Sequence, residues 1–291
     1  MRTTEFNGEN PNVKKFVFEY EDAILESVLY KYPTYEERTV LCISVQSGCP
    51  VGCTFCGTGN KFIRNLTDQE ITNQVSYIFE KENIDTNSVK KLQIMFMSQG
   101  EPLLNWNNVS EAICRLESSY PNADLLLSSI GPKKRKELNY LLFLSKETPK
   151  LGLQFSIHKS NDRERDELIP FKNKSSLLEI RNYGIEWWKA TGRKVYLNYC
   201  IDGTNNTAED FSNLLMLFPP NVFCFTFSVV CSSEAGGFEY RDLDEIRKFE
   251  NLFVDNGYNT RVFDPAGQDD IGAGCGQLWY TREWMKNREE K

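Results

Sequence analysis

The chain has 291 residues, 40% of them hydrophobic and 26% charged, and carries a formal net charge of −7 at pH 7. That length suits a single core or a full or partial β/α barrel and leaves two separate domains cramped. The acidic balance excludes a grip on nucleic acid through bulk positive charge, and with no leader-like N-terminus and no run of about 18 apolar residues the chain reads as soluble and cytoplasmic, without a membrane segment.

In chain order, Val13–Tyr20 and Ile24–Tyr30 read as a β-hairpin turning at Glu21-Asp22, within an N-terminal extension covering residues 1–37. From residue 38 to 291 strand-like and helix-like segments alternate. Apolar, β-branched or aromatic runs at Thr39–Val45, Leu92–Met97, Ala123–Ser128, Leu151–Ser156, Lys194–Cys200 and Val222–Val230, with a weaker one near Asn259–Phe263, read as strands. Helical spacing falls between them at Thr67–Lys81, opened by the capping box Thr67-Asp68-Gln69-Glu70, and at Asn108–Ser118, Lys133–Ser145, Ser175–Ala190, Ala208–Phe218 and Leu243–Asn256. Six such units predict an α/β fold with a parallel sheet and right-handed crossovers. The tail, Leu278–Lys291, reads as a polar helix.

The segment Gly48-Cys49-Pro50-Val51-Gly52-Cys53-Thr54-Phe55-Cys56 places three thiols in C-x3-C-x2-C spacing directly after the first of these strands. Three thiolates on one tight loop can ligate three irons of a [4Fe–4S] cubane and leave the fourth open to chelate S-adenosylmethionine (SAM). A structural zinc site wants four protein ligands, whereas the chain offers no second C-x2-C and a single histidine. With nine cysteines grouped this way, a reducing compartment fits better than a secreted disulfide framework.

Polar or glycine-bearing motifs then follow successive strands, at the end where barrels keep their active sites. They are Ser98-Gln99-Gly100-Glu101-Pro102, Ser128-Ser129, Ser156-Ile157-His158 and Asp202-Gly203-Thr204-Asn205. Local basic stretches, candidates for RNA contact or simply solvated faces, are Lys133 to Lys136, then Lys159, Arg163 and Arg165, then Lys172 and Lys174. Cys114, Cys200, Cys224 and Cys231 read as buried strand cysteines.

These motifs, with Leu41-Cys42-Ile43-Ser44, Arg64-Asn65-Leu66-Thr67, Gly100-Glu101-Pro102-Leu103-Leu104-Asn105, and Asp269-Asp270-Ile271 running into Cys275-Gly276-Gln277-Leu278, resemble the RlmN/Cfr family of radical SAM adenine methyl synthases from about Val13 to Leu278. The resemblance implies a partial (β/α)6 TIM-like radical SAM barrel with an N-terminal β-hairpin extension. It assigns the cluster to Cys49, Cys53 and Cys56, and SAM contacts to Gly100, Glu101, Ser128, Ser156, Ile157, His158 and Asn205. It makes Cys275 the residue that first receives a methyl group, Cys42 the resolving thiol that later forms a disulfide with it, and Glu26 the proton acceptor. An RNA substrate, rRNA or tRNA, a flavodoxin-type electron donor and a monomeric enzyme are implied as well.

Family members carry a helical accessory domain ahead of the hairpin, and here only about a dozen residues precede Val13. The same two-thiol chemistry on a smaller heteroaromatic or peptide substrate is therefore the alternative reading. A non-catalytic Fe–S or Zn-binding protein that keeps the fold is the reading from a different class.

Overall fold

The computed structural model of the protein describes residues 1–59, 61–231, 239–274, 276–278, 280 and 284–285. Its first elements are β1 (Arg2–Asn7), β2 (Val13–Glu19), β3 (Ile24–Lys31), β4 (Thr39–Ile43), β5 (Gln46–Cys49), β6 (Lys61–Asn65), α1 (Asp68–Lys81), β7 (Leu92–Phe96) and α2 (Trp106–Ser119). There follow β8 (Asp124–Ser129), α3 (Arg135–Glu147), β9 (Leu151–Ser156), α4 (Asp162–Leu168), α5 (Leu177–Thr191), β10 (Val195–Cys200), α6 (Ala208–Leu217), β11 (Phe223–Ser228), α7 (Leu243–Asp255) and β12 (Asn259–Phe263).

A ten-stranded sheet runs in the order β1-β2-β3-β4-β7-β8-β9-β10-β11-β12, and β5 pairs only with β6. The strands from β1 to β4 pair antiparallel, and those from β4 through β7 to β12 pair parallel. The six expected units are β4–α1, β7–α2, β8–α3, β9 with α4 and α5, β10–α6 and β11–α7, with β12 as a further parallel strand. The hairpin is thus continuous with the barrel sheet.

Period-two alternation sorts the strand residues onto two faces. Leu41, Ile43, Ile94, Phe96, Leu125, Leu127, Leu153, Phe155, Leu197, Phe225 and Phe227 point outward into the main core, where they meet helix residues such as Ile71, Val75, Ile113 and Trp187. The other face carries Val40, Cys42, Met95 and Leu126, a smaller cluster completed by Ala273 and Leu278 from the C-terminal segment. Helix α1 starts where expected because Thr67 and Glu70 close a capping box, and it buries Ile71, Gln74, Val75, Ile78 and Phe79 along one stripe.

Three features differ from expectation. Strand β1 adds to the hairpin, and the charged segment Asp162–Leu168 is helical, capped by the Asn161 side chain on the Glu164 N–H. Cys114 lies on α2 and is exposed instead of sitting in a buried strand, whereas Cys200, Cys224 and Cys231 are buried as expected. Cys275 and most of the expected C-terminal helix, 278–291, lie outside the described residues. No helix among the described residues is long and apolar enough to cross a membrane.

Candidate active site

The cysteine loop leaves β5 and returns through β6. Gly48 takes φ +74°, and a Cβ there would fall 1.7 Å from the Lys61 carbonyl oxygen, so only glycine lets the two strands cross so closely. Gly59 is also tightly packed, its missing Cβ 2.7 Å from the Cys53 carbonyl oxygen. Cys49 and Cys53 pack with Leu168 against Val51, Ile130 and Ile169. Burial pushes the Cys49 thiol up to about 12, with Cys56 and Glu101 adding to it. Burial and the neighbouring Cys56 and Cys49 hold the Cys53 thiol well above its ordinary range.

Thiols that resist ionisation alone and crowd one another suit a polynuclear metal centre that replaces their protons. Among the described residues no three His, Cys, Asp or Glu side chains converge as on a single metal ion. A cubane takes its thiolates on three different irons, and the closeness by which Cys49, Cys53 and Cys56 act on one another fits that donor set.

The Gly100-Glu101 turn packs directly on this loop. Gly100 has φ +99°, and a Cβ there would lie 2.6 Å from the Gln46 Cβ and 2.9 Å from the Gln46 backbone nitrogen. The glycine therefore serves close approach to β5. The Gly100 backbone also favours the Cys49 thiolate, against its burial. Gln46 Oε1 in turn accepts the Glu101 N–H at 2.8 Å.

Glu101 is 3% exposed. Its carboxylate accepts from the Ser129 hydroxyl at 2.6 Å, the Ile130 N–H at 2.8 Å and the Leu103 N–H at 3.1 Å. Burial nevertheless wins and raises its carboxyl to about 7, against the pull of those three donors.

Ser128 and Ser156 end adjacent strands with hydroxyls 3.4 Å apart, and Gln154 Nε2 donates to Ser128 at 3.0 Å. Ile157 is fully buried in the main core, which leaves only its backbone for a ligand. His158 sits at φ +58°, a left-handed conformation rare outside glycine. Its Nδ1 accepts the Cys200 N–H at 3.1 Å. Burial, followed by the charge of Arg165, holds the imidazole down to about 3. The ring is therefore neutral, with Nε2–H as its remaining donor, and it meets Phe55 of the cysteine loop edge-on at 5.2 Å.

Asn205 ties the loop after β10 to His158 after β9. Its Nδ2 donates to the carbonyls of His158 and Cys200, both at 2.8 Å, and its Oδ1 accepts the Asp202 N–H at 2.9 Å. The buried amide thereby helps to hold His158 in its left-handed conformation.

Glu26 on β3 is fully buried. Its Oε1 accepts from Gln99 Nε2 and from the Tyr280 N–H, each at 2.9 Å. Lys15 Nζ lies 2.8 Å from Oε2. The residues flanking position 275 are strapped to the same surroundings. Lys15 Nζ donates to the Gly272 carbonyl at 3.2 Å, Tyr30 OH to the Ala273 carbonyl at 2.8 Å and Thr58 Oγ1 to the Leu278 carbonyl at 2.6 Å. The Gly57 N–H donates to the Gly276 carbonyl at 2.5 Å.

Most of the basic stretches do not form a free positive face. Lys159 pairs with Asp202, Lys174 with Asp166, Arg135 with Glu186 and Lys133 with Glu179. Arg165 has no exposed surface, and Arg163, with its side chain 84% exposed, stays at the surface.

No protein-family model matches the chain. Curated relatives do. The chain is 31% identical over 291 residues to "Probable dual-specificity RNA methyltransferase RlmN" of Dictyoglomus turgidum, covering 96% of this chain and 78% of the relative. It is 33% identical over 279 residues to the protein of the same description from Petrotoga mobilis, covering 92% and 75%. Among solved structures it superposes on a radical SAM methyltransferase from Sphaerobacter thermophilus with TM-score 0.83 and 27% identity, covering 94% of this chain and 79% of that one. Spore photoproduct lyase, at TM-score 0.51 and 12% identity over 76% of this chain and 75% of that one, shares the fold alone.

Proposed function

Because the chain belongs to the RlmN family of radical SAM methyltransferases, we propose that it methylates an adenine carbon, carbon 2 or carbon 8, in rRNA or tRNA through an S-methylcysteine formed on Cys275. The observation that carries this reading is the position of the segment around residue 275. Gly276 bonds to Gly57, the neighbour of Cys56, while Ala273 and Leu278 pack with Cys42. The described residues on either side of position 275 thus touch both the cluster loop and the strand that carries the resolving thiol.

In this reading Cys49, Cys53 and Cys56 hold a [4Fe–4S] cluster, which supplies the electron that cleaves SAM reductively. Glu101 receives the SAM ammonium group, and the Ser128 and Ser156 hydroxyls, the Ile157 backbone and the His158 Nε2–H line the rest of its site. Asn205, which also holds the His158 carbonyl, completes the SAM contacts. Once adenine is joined to the carbon carried by Cys275, Glu26 accepts the ring proton. The Cys42 thiolate then attacks the Cys275 sulfur, forming a disulfide as the sulfur–carbon bond breaks, and the product carbon keeps that bond's electron pair and takes up a proton to become the methyl group. A flavodoxin-type protein is the natural electron donor, and the enzyme acts as a cytoplasmic monomer.

The neutralised basic stretches favour a second reading, the same chemistry on a small heteroaromatic or a peptide. Nucleoside mass spectrometry of total rRNA and tRNA, with and without the gene, decides between them. Loss of a methyladenosine in the deletion supports the first reading, and methylation that survives Cys275→Ala sinks it. SAM turnover with no RNA binding at low salt supports the second.

A further inference from the structure

Arg165 belongs to none of the roles above. It sits on α4 yet turns inward, with no exposed surface. Its guanidinium bonds only to neutral carbonyls, Nη1 to Ser175 at 2.7 Å and Nη2 to Ile130 at 2.7 Å and Ser156 at 3.3 Å. Nε is buried without a hydrogen-bond partner. Carboxylates of the same helix are engaged elsewhere: Asp166 pairs with Lys174, Asp162 accepts the Leu177 N–H and Glu164 lies 3.9 Å from Arg163. Among the described residues no carboxylate reaches ion-pair distance of this cation. A buried charge left in that state is costly unless something negative comes to it.

What lies beside it is the cysteine loop. Ile130, whose carbonyl Arg165 holds, packs with Ile169 against Cys49 and Cys53. Leu168 accepts the Thr54 N–H at 3.0 Å, and Ile169 donates to the Arg165 carbonyl at 2.8 Å, so the last turn of α4 is docked on the loop. The charges that act on Arg165 from beyond contact are those of Asp162 and Asp166 and, after them, Cys53 of the loop. A thiolate-ligated cubane gains one negative charge when it accepts an electron, and in a dry interior a fixed charge acts well beyond contact distance.

Resting on the reading of Cys49, Cys53 and Cys56 as cluster ligands, we propose that Arg165 is a positioning residue whose fixed positive charge stabilises the reduced cluster and so raises its reduction potential. One electron passes from a one-electron donor of the flavodoxin or dithionite class to the cluster. The donor is oxidised by that electron, and no proton or bond is exchanged. Net charge and burial around a cluster are recognised levers on its potential. Arg165 itself touches neither cluster nor substrate.

The test is a redox titration of the full-length enzyme, reconstituted anaerobically with iron and sulfide and followed by electron paramagnetic resonance without SAM. Arg165→Gln keeps N–H donors for the carbonyls and removes the charge, whereas Arg165→Lys keeps the charge and removes the fork. The expected result is a midpoint shifted to more negative potential in Arg165→Gln and unshifted in Arg165→Lys. A wild-type protein that binds no cluster defeats the reading of the cysteines. A loaded Arg165→Gln variant that titrates with the wild type defeats only the role of Arg165. If Arg165→Gln does not load, Arg165→Lys decides: loading at the wild-type potential supports the proposal, and failure to load or a lowered potential overturns it.

Discussion

Lys15 Nζ and Glu26 Oε2 lie 2.8 Å apart with neither side chain exposed to solvent. They sit diagonally across the β2–β3 pairing, where Glu26 faces Val17 and Lys15 faces Val28. Removing one partner strands the other charge in the interior, so Lys15→Met is expected to cost about 3–5 kcal/mol. The double variant Lys15→Met/Glu26→Gln leaves no bare ion and is expected to recover part of that loss. Urea unfolding of the single and double variants checks it, and a double variant no more stable than Lys15→Met would count against the pairing.

Each of Cys49→Ser, Cys53→Ser and Cys56→Ser is expected to lower bound iron from about four per chain for a cubane to a small residue after anaerobic reconstitution. Cys114→Ser, exposed on α2, is the control and should leave the iron content unchanged. Iron and sulfide assays give the answer. Full loading of a triad variant would remove that cysteine from the ligand set.

Gly100 and Gly192 separate a glycine required by packing from one required by a cap. Both have positive φ, +99° and +71°, but a Cβ at Gly100 meets Gln46 at 2.6 Å whereas one at Gly192 meets nothing within 4 Å. Gly192→Ala should cost only the left-handed penalty of about 1–2 kcal/mol. Gly100→Ala adds displacement of Gln46, which carries the Glu101 N–H, and should also abolish SAM binding measured calorimetrically. Normal SAM affinity in Gly100→Ala would show that this turn does not shape the site.

How far the sequence speaks for the structure depends on the element. The barrel strands were legible because Leu41, Ile94, Leu125, Leu153 and Phe225 belong to apolar runs long enough for a covered parallel sheet. Strand β1, with burial alternating between exposed and partial, and α4, short and charged, carry too little apolar signal to register. The cysteine loop and the Gly100-Glu101 turn were legible as motifs. What Asn205 and Arg165 hold was not, because the partners of both are backbone groups brought close only by the fold. An inward-facing arginine and a solvated one read alike in sequence.

Glu101 makes the pH behaviour of the site the reverse of an ordinary paired carboxylate. Its carboxyl is raised from 4.5 to about 7 by burial. Below 4.5 the group is protonated in both folded and unfolded chains and contributes nothing to the pH dependence. Between 4.5 and 7 the unfolded chain loses the proton first, so this group's contribution to stability falls as pH rises, and above 7 the penalty is constant. SAM binding runs the other way, because the ammonium group needs the ionised carboxylate. Its affinity should fall as pH drops below about 7, approaching tenfold per unit. Calorimetric titration of SAM between about pH 5.5 and 8.5 reads this directly in the anaerobic, cluster-loaded enzyme. Glu101→Gln should bind SAM weakly and lose the step near 7. A wild-type affinity that is flat across this range, or a step that survives in Glu101→Gln, would remove Glu101 from the ammonium site.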